Sequence, residues 1–236
     1  MADIPTLILS PLLLIQGKWL RWRLPKLDEA AGPRQGEQGD GQPLSLLVFG
    51  DSAAAGVGVA QQQQALAGQL SLALSAHYQL RWHLHAQSGL TTAQADPFIK
   101  GLPTQQADVV VISLGVNDVK STGSAQRWLL ELDAVVSRLR AELKPQLILI
   151  AELPPMGQFP KFPQPLRAWL GWRANQFNQH LHQWAQQQPL VQLTSIPKEQ
   201  ADLAVDGLHP GQGTYRLWAQ RVQQQIRSAL TVQRAP

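Results

Sequence analysis

Short apolar runs alternate with longer amphipathic stretches along most of the chain. Residues 44–49 are mostly apolar and end at Gly50, which is typical of a parallel strand buried on both faces, and residues 61–77 then follow a helical period. Further strands are predicted at 80–85, 109–114, 147–150 and, from a weaker pattern, 190–193, and further helices at 91–100, 125–143, 166–187 and 213–230. This alternation predicts an α/β fold with three layers, αβα, whose central parallel sheet has about five strands.

The polar clusters of the chain lie in particular places relative to these elements. They follow the ends of predicted strands or precede the last predicted helix. In an open parallel sheet, ligands bind beyond the carboxyl ends of the strands. The sequence therefore predicts a functional site at that edge of the sheet.

The beginning of the chain has a different pattern. Residues 4–17 carry no charge, and aromatic and basic residues follow at 18–23. The apolar run is shorter than the roughly 20 residues of a membrane-spanning helix and contains Pro5 and Pro11, which argues against a full span. A secretory signal would carry its basic residues before the apolar run, whereas here they follow it. Because neither pattern fits, we expect a cytoplasmic protein.

Two interpretations of this segment stay open. Apolar residues followed by Trp and Arg suit a lipid headgroup region, so residues 4–26 could make a peripheral membrane contact. Alternatively, the segment is an arm that packs on its own domain or on a second copy and buries Leu7, Leu9 and residues 12–15. Residues 28–43 lack apolar periodicity and are predicted to be a linker, so that an arm and linker (1–43) precede the main domain (44–236).

Composition and charge narrow the class of protein. The chain has 236 residues, 44% of them hydrophobic and 15% charged, which is enough for one compact α/β domain. The net charge of +4 comes from scattered Lys and Arg residues, which argues against nucleic acid as a partner. The sequence contains no cysteine, so a disulfide scaffold, a thiolate nucleophile and a cysteine-based zinc site are excluded.

Ser52 is the first candidate for chemistry. It stands in Gly50-Asp51-Ser52 directly after the first predicted strand and is followed by small residues that leave a hydroxyl accessible. Taken alone, a serine here is more often the N-cap of the next helix. The Lys-Ser/Thr ending of a phosphate loop is missing, and so is the glycine pattern of a dinucleotide site.

Two further clusters stand at the same edge of the predicted sheet. Asn117 follows the third strand, in a sequence that alone would be an ordinary turn. Asp206 precedes His209 by three residues in the loop before the last helix, so that its carboxylate can reach the imidazole Nδ1. A metal site using His83 and His85 is the alternative, but Arg81 shares their face of the strand and favours a solvated polar edge.

The four blocks occur in a fixed order: GDS at 50–52, Gly89 in QSGLTT, GVND at 115–118 and DGLHP at 206–210. Together they resemble the SGNH hydrolases, also called the GDSL esterases, and the resemblance covers residues 44 to about 230, with residues 153–173 also similar to bacterial esterases of the group. It implies a flavodoxin-like sheet and a catalytic domain at 44–236. One departure is Ala53, where the family often has Leu after GDS.

The resemblance also implies roles for these residues. Ser52 would be the nucleophile, and Asp206 and His209 would complete a catalytic triad. The backbone N–H groups of Ser52 and Gly89 and the side-chain amide of Asn117 would form an oxyanion hole. Asp51 and Asp118 would be structural, and no metal or organic cofactor is required.

The substrate is indicated only by residues 153–172, which contain five prolines and several aromatic residues. Phe159, Phe162 and Trp169 could form an apolar wall over the site, or the segment could be a stiff surface loop. We expect a serine carboxylic-ester hydrolase that acts on small-molecule esters of short to medium chain. The alternatives are a lysophospholipase or thioesterase, and a carbohydrate O-acetyl esterase or acyltransferase; a noncatalytic binding module is disfavoured because the constellation is complete. The sequence predicts no oligomeric state.

Overall fold

Six strands form the central sheet of the computed structural model, which describes residues 4–104, 106–121, 123–196 and 202–232, with the backbone alone at 4–8 and 232. The strands are β1 (Gln35–Gln38), β2 (Gln42–Gly50), β3 (Tyr78–Ala86), β4 (Val109–Ser113), β5 (Leu147–Ala151) and β6 (Val191–Thr194). Their order across the sheet is β1-β3-β2-β4-β5-β6. The five strands β2 to β6 are parallel, in the order typical of flavodoxin-like sheets, and β1 adds an antiparallel edge.

Helices cover both faces of this sheet. They are α1 (Ile4–Arg23), α2 (Leu66–Ser75), α3 (Ala95–Ile99), α4 (Val116–Val119), α5 (Ala125–Leu143), α6 (Leu166–Ala185) and α7 (Gln212–Val232). Alternate residues of β2, such as Leu46 and Leu47, point to opposite faces. One face packs against α2 and α7, and the other against α1, α3, α5 and α6. The predicted three-layer α/β fold is confirmed.

Strand register places the polar loops side by side. Gly50 at the end of β2 pairs with Ala86 of β3 on one side and with Ser113 of β4 on the other. The loops that follow these three strands therefore start at the same height on the sheet. After β2 the chain continues to β3 on one side of that strand, and after β3 it continues to β4 on the other side. Sheets with this strand order bind ligands in the crevice between these two connections.

The segment predicted as a linker is packed against the domain. Residues Gln35–Gln38 pair with β3 as strand β1, and Ala31 exchanges backbone hydrogen bonds with Ala60 (3.0 Å) and Gln62 (2.8 Å). The hydrophobic pattern missed β1 because QGEQ is an edge strand with no buried residue. The division of the chain at residue 43 stays a prediction.

The arm forms helix α1 and packs on the domain by one stripe. Leu13 and Leu20 are buried against the α5–α6 face of the core, and the Gln16 side chain donates to the Gln164 carbonyl oxygen (2.7 Å) and accepts from the Leu166 N–H (3.1 Å). The expected burial of residues 12–15 is wrong except at Leu13, because the helical period turns the other three outward. Leu9 is partly buried, and the side chain of Leu7 lies outside the described residues.

Among the described residues, none of the helices combines the length and apolarity that crossing a bilayer requires.

Candidate active site

The turn after β2 is built around a close approach of two strands. Gly50 has a φ of +153°, and a Cβ at this position would lie 2.1 Å from the Ser113 carbonyl oxygen, so only glycine fits. The Asp51 N–H donates to the same carbonyl oxygen (2.9 Å). Ser52 then stands at the start of a series of turns that runs to residue 60, and not at the N-terminus of a helix. The N-cap interpretation of Ser52 is therefore wrong.

Asp51 stabilises this turn from inside the protein. Its Oδ1 accepts from the Ala53 N–H (3.1 Å) and from the Ser113 hydroxyl (3.4 Å), while its Oδ2 has no hydrogen-bond partner among the described residues. Burial raises the pKa of the Asp51 carboxyl to about 6, although the Ala53 N–H and the charges of Lys120 and His209 act in the opposite direction. The arrangement fits the structural role that the family resemblance implies.

His209 is carried by a loop with its own internal bonds. The Ala204 N–H donates to the His209 carbonyl oxygen (2.9 Å), and the Gly207 N–H donates to the Ala204 carbonyl oxygen (2.8 Å). Next to this loop, the Asp202 carboxylate accepts from the Gly213 and Thr214 N–H groups in the first turn of α7. The start of α7 and the loop are thereby held in one position.

The structure brings Ser52, His209 and Asp206 into one hydrogen-bonded row. Oδ2 of Asp206 lies 2.6 Å from Nδ1 of His209, and Nε2 of the same ring lies 3.0 Å from Oγ of Ser52. Because an ionised carboxylate only accepts, Nδ1 carries the proton and Nε2 is left to accept from the Ser52 hydroxyl. This is the geometry of a serine activated by a neighbouring base.

Asp206 is held in its ionised form. Burial alone would raise the pKa of its carboxyl, but hydrogen bonds from the His209 ring and from the Leu208 and His209 N–H groups outweigh burial, and the pKa is lowered. Oδ1 accepts both backbone bonds, at 3.0 and 3.1 Å, so that Oδ2 is oriented towards the imidazole.

Three predicted oxyanion donors line one cavity together with Ser52 Oγ and His209. The N–H groups of Ser52 and Gly89 have no acceptor among the described residues. Gly89 has a φ of +83°, which favours glycine, and a Cβ there would meet nothing within 4 Å. The Asn117 side chain, on α4, donates one N–H to the Leu90 carbonyl oxygen (3.0 Å), which leaves its second N–H available.

Asp118 fixes the loop that contains Gly89 and Leu90. Its carboxylate accepts from the N–H (3.1 Å) and the hydroxyl (3.0 Å) of Thr92, whose Oγ1 in turn accepts from the Trp128 indole (3.0 Å). Sequence reasoning missed Thr92 and Trp128, because the hydrogen bonds from Trp128 to Thr92 and from Thr92 to Asp118 join three separate segments.

Comparison with known proteins identifies the family of this chain. Residues 48–217 match the family model described as the GDSL-like Lipase/Acylhydrolase family. The chain belongs to this family. It is therefore an ester-hydrolysing enzyme of the GDSL type, as the order of the four sequence blocks predicted. A search of curated proteins gave no significant match.

Solved structures of low sequence identity share the fold of this GDSL hydrolase. An aryl esterase of M. smegmatis aligns with a TM-score of 0.61 at 18% identity, over 79% of this chain and 99% of that one. A carbohydrate acetylesterase family member from Sinorhizobium meliloti gives 0.61 at 17%, over 80% and 99%. A lipolytic G-D-S-L protein from Veillonella parvula gives 0.59 at 13%, over 76% and 96%.

The cavity of the GDSL hydrolase is large and mostly apolar. It has a volume of about 1660 Å³, above the roughly 300–1,000 Å³ of common small-ligand pockets. Phe159, Phe162 and Trp169 all line it, and the two phenylalanine rings pack edge to face with centroids 5.5 Å apart. This placement favours the wall interpretation of residues 153–172, and Trp169 lies inside helix α6, as the predicted helix at 166–187 implies.

A second wall of the cavity comes from helix α1, which sequence reasoning did not connect with the site. Leu13, Leu14, Gly17, Leu20 and Arg21 all line it. The contact follows from the helical period, since these residues share one side of the helix. Within the part of the chain that the structure describes, no group of three or more metal-ligating side chains is present.

Glu29 and Arg34 connect the predicted linker to the Gly89 loop. Glu29 Oε1 accepts from the Ser88 N–H (2.6 Å) and Oε2 accepts from Arg34 (3.0 Å), while Arg34 also donates to the Ala86 carbonyl oxygen (2.5 Å). Burial opposes ionisation of Glu29, but the bonds from Ser88 and Arg34 outweigh it and lower the pKa. No motif in the sequence indicates this contact across 59 residues.

Proposed function

We propose that the protein is a serine carboxylic-ester hydrolase that acts on short- to medium-chain esters through Ser52, His209 and Asp206. The observation that carries the proposal is the continuous row from the Asp206 carboxylate through the His209 ring to the Ser52 hydroxyl, with both hydrogen bonds between 2.6 and 3.0 Å. The row opens into a cavity that can hold an ester.

The first half-reaction forms an acyl-enzyme. As Ser52 Oγ attacks the ester carbonyl carbon, its proton passes to Nε2 of His209, and the resulting imidazolium is stabilised by Asp206. Collapse of the tetrahedral intermediate breaks the bond to the alcohol oxygen, which takes the proton from Nε2 as it leaves. Water then attacks the acyl-enzyme by the same route and releases the acid.

The negative oxygen of each intermediate requires donors that are already in place. The N–H groups of Ser52 and Gly89 and the free N–H of Asn117 are candidates because they line the cavity and have unused donor capacity. An oxyanion provides the missing acceptor for all three.

The apolar walls favour esters with a hydrophobic acyl part. The buried rings of Phe159 and Phe162 and the half-buried ring of Trp169 offer a surface that an acetyl group alone would not cover. Carbohydrate deacetylation is therefore less favoured than hydrolysis of short- to medium-chain acyl esters.

Substitution of the nucleophile tests the proposal. We expect Ser52→Ala to reduce hydrolysis of p-nitrophenyl butyrate by about 10⁴-fold or more, because no other group can form the acyl-enzyme. A fluorophosphonate probe should label the wild-type protein at Ser52 and leave the variant unlabelled, with circular dichroism showing that both are folded. Wild-type turnover in Ser52→Ala would overturn the assignment.

A second candidate, a lysophospholipase that works at a lipid surface, is favoured by the exposed side of helix α1. Ile15, Trp19 and Trp22 are 64%, 44% and 83% exposed, and Arg23 and Lys26 are basic residues nearby. Apolar and indole side chains beside basic groups match the chemistry of an anionic bilayer surface. We propose that α1 makes a peripheral contact with such a surface while its other side lines the cavity.

A further inference from the structure

Three cationic side chains line the cavity without an ion-pair partner among the described residues. Lys18 and Arg21 belong to α1, and Lys120 directly follows α4. Within the described ranges none of the three makes a hydrogen bond or an ion pair. Exposed surface cations are often unpaired, but these three converge on a concave site whose remaining lining is mostly apolar.

The other cations of the cavity are already engaged. Arg127 forms an ion pair with Glu131 (3.1 Å), and the Arg173 guanidinium donates to the carbonyl oxygens of Val119 (2.7 Å) and Gly123 (2.6 Å). Arg127 and Arg173 thus have their donors in use, whereas Lys18, Arg21 and Lys120 do not.

The carboxylates that line the cavity do not neutralise the three cations. Glu152 accepts from His182 (2.5 Å), and Asp51 is buried beneath the turn with its pKa raised by that burial to about 6. With this pKa Asp51 is mostly ionised at neutral pH, but the basic side chains that line the cavity still outnumber its two carboxylates, Asp51 and Glu152. The described part of the cavity therefore carries an excess of positive charge.

Lys120 is the cation most closely tied to the reaction centre. It follows the candidate oxyanion donor Asn117 by three residues, so the two side chains leave the same side of one helical turn, and both line the cavity. The side chain is open to the cavity but enclosed by its walls, and this burial lowers the pKa of the ammonium group. The charges of Asp51 and Asp118 act in the opposite direction, and the like charge of Arg21 adds to the lowering. Lys120 and Arg21 therefore repel each other inside one cavity, although neither forms an ion pair there.

We propose that Lys120 and Arg21 form a binding subsite for a negatively charged group, a phosphate or a carboxylate, carried by the ester substrate. The proposal rests on the proposed esterase function and names the class of ester that this site prefers. An anion between the two side chains would remove their mutual repulsion and accept charge-assisted hydrogen bonds from both. Because the other walls are apolar and suit an acyl chain, the phosphate or carboxylate of the best substrate belongs to its alcohol part.

Matched ester pairs test the subsite in the full chain. Octanoylglycerol and octanoylglycerol phosphate differ only by a phosphate on the alcohol part, while p-nitrophenyl butyrate and p-nitrophenyl hemisuccinate differ by a carboxylate on the acyl part. We expect the wild-type protein to favour octanoylglycerol phosphate over octanoylglycerol by about tenfold or more in kcat/KM. A preference in the p-nitrophenyl pair alone would instead place the anion on the acyl side.

Two variants and a control locate the effect. Lys120→Met and Arg21→Gln should each lower the charged-to-neutral ratio of kcat/KM by about tenfold, mainly through KM. Arg127→Gln removes a cation from the same cavity that is already paired with Glu131, and it should leave the ratio within about twofold. The wild-type ratio should also fall as salt is added, because salt screens the attraction.

The outcomes separate the two proposals. Hydrolysis of all four esters with ratios near one, or ratios that Lys120→Met and Arg21→Gln leave unchanged, would overturn the anion subsite while the esterase function stands. Failure of the wild-type protein to hydrolyse any ester or to react with the fluorophosphonate would overturn the esterase function itself.

Discussion

Asn117 has two N–H groups with different tasks. One is held by the Leu90 carbonyl oxygen at 3.0 Å, and this bond fixes the plane of the carboxamide so that the other N–H has a defined direction. The side chain is therefore oriented before any substrate arrives, which is the condition for effective stabilisation of an oxyanion.

Substitution of Asn117 tests this role. We expect Asn117→Ala to lower kcat for p-nitrophenyl butyrate by about 10²–10³-fold, equivalent to roughly 2.7–4 kcal/mol, with a much smaller change in KM, because the donor acts on the intermediate. The measurement is steady-state kinetics together with thermal unfolding. Unchanged turnover in a folded variant would remove Asn117 from the oxyanion hole.

Asp51 should make stability depend on pH. Its pKa of about 6 in the folded protein lies above the ordinary value near 3.8, so the folded state binds this proton more tightly than the unfolded state does. The resulting stabilisation of the folded protein is fully present below the pKa of the carboxyl in the unfolded chain. It is lost as the pH rises through about 6, the pKa in the folded protein. At about 1.4 kcal/mol per pH unit the full loss is about 3 kcal/mol, of which about half falls between pH 5 and pH 7.5.

The comparison with Asp51→Asn isolates this effect, since all other titrating groups are shared. We expect the free energy of unfolding of the wild-type protein, measured in urea, to fall by about 1.4 kcal/mol relative to Asp51→Asn between pH 5 and pH 7.5. A difference that stays constant with pH would show that the Asp51 carboxyl keeps its ordinary pKa in the folded protein.

Sequence could indicate the residues of the motif blocks but not those that hold them. Ser52, Gly89, Asn117, Asp206 and His209 stand at strand ends or in the last loop, where the parallel topology alone predicts that they meet. Other residues act through contacts between segments distant in sequence, which no local pattern reveals. These are Glu29, Thr92 and Trp128.

At the scale of elements, the segment before β1 supports the Gly89 loop. Glu29 accepts the Ser88 N–H, the peptide group immediately before Gly89, and is itself held by Arg34. Because the Gly89 N–H is a candidate oxyanion donor, Glu29 is a positioning residue that need not touch substrate.

Glu29 substitutions should change kcat more than KM. We expect Glu29→Ala to lower kcat by about tenfold with KM within about twofold, since small displacements of a donor weaken its action on the intermediate. Glu29→Gln should recover much of this loss because its amide oxygen can still accept from Ser88. The matched control is Glu37→Ala, which breaks an exposed ion pair with Arg81 on the sheet edge. Equal losses in Glu29→Ala and Glu37→Ala would contradict the positioning role.

Helix α1 offers a test of the lipid contact. We expect Trp22→Ser to weaken sedimentation of the full chain with phosphatidylglycerol vesicles by about tenfold, because the exposed indole would leave the lipid interface. Leu130→Ser, at an apolar residue 73% exposed on α5, serves as the control and should bind like the wild type. Absence of wild-type binding at low salt would exclude the contact, and light scattering would then show whether α1 packs against a second copy.

The elements themselves were predictable where burial is continuous or periodic and were missed where it is neither. All five parallel strands lie within two residues of their predicted positions, and α5 matches at both ends, since β4 and β5 are buried throughout and α5 has a regular apolar stripe. The predicted helix at 61–77 begins only at Leu66, because a short 3₁₀ turn, Gln62–Gln64, precedes it. The buried Gln62 side chain there donates to the carbonyl oxygens of Ala30 and Ala55.

At the scale of the whole molecule, the sheet positions the candidate active site, and the outer helices form the walls of the cavity above it. Register aligns the ends of β2, β3 and β4 around the crevice, as the parallel α/β pattern predicted. The cavity above that crevice, by contrast, depends on how α1 and α6 pack across its mouth. No hydrophobic period could predict that α1 and residues 153–172, far apart in sequence, form two walls of one cavity.

The position of α1 relative to the family match has an evolutionary consequence. The wall formed by Leu13, Leu20 and Arg21 lies outside residues 48–217, whereas every proposed catalytic residue lies inside them. One wall of the cavity is thus encoded apart from the proposed catalytic residues, whereas the opposite wall with Phe159, Phe162 and Trp169 lies within the family match. Exchange of the first few dozen codons between homologues would therefore replace one wall of this cavity while the proposed catalytic residues stay untouched.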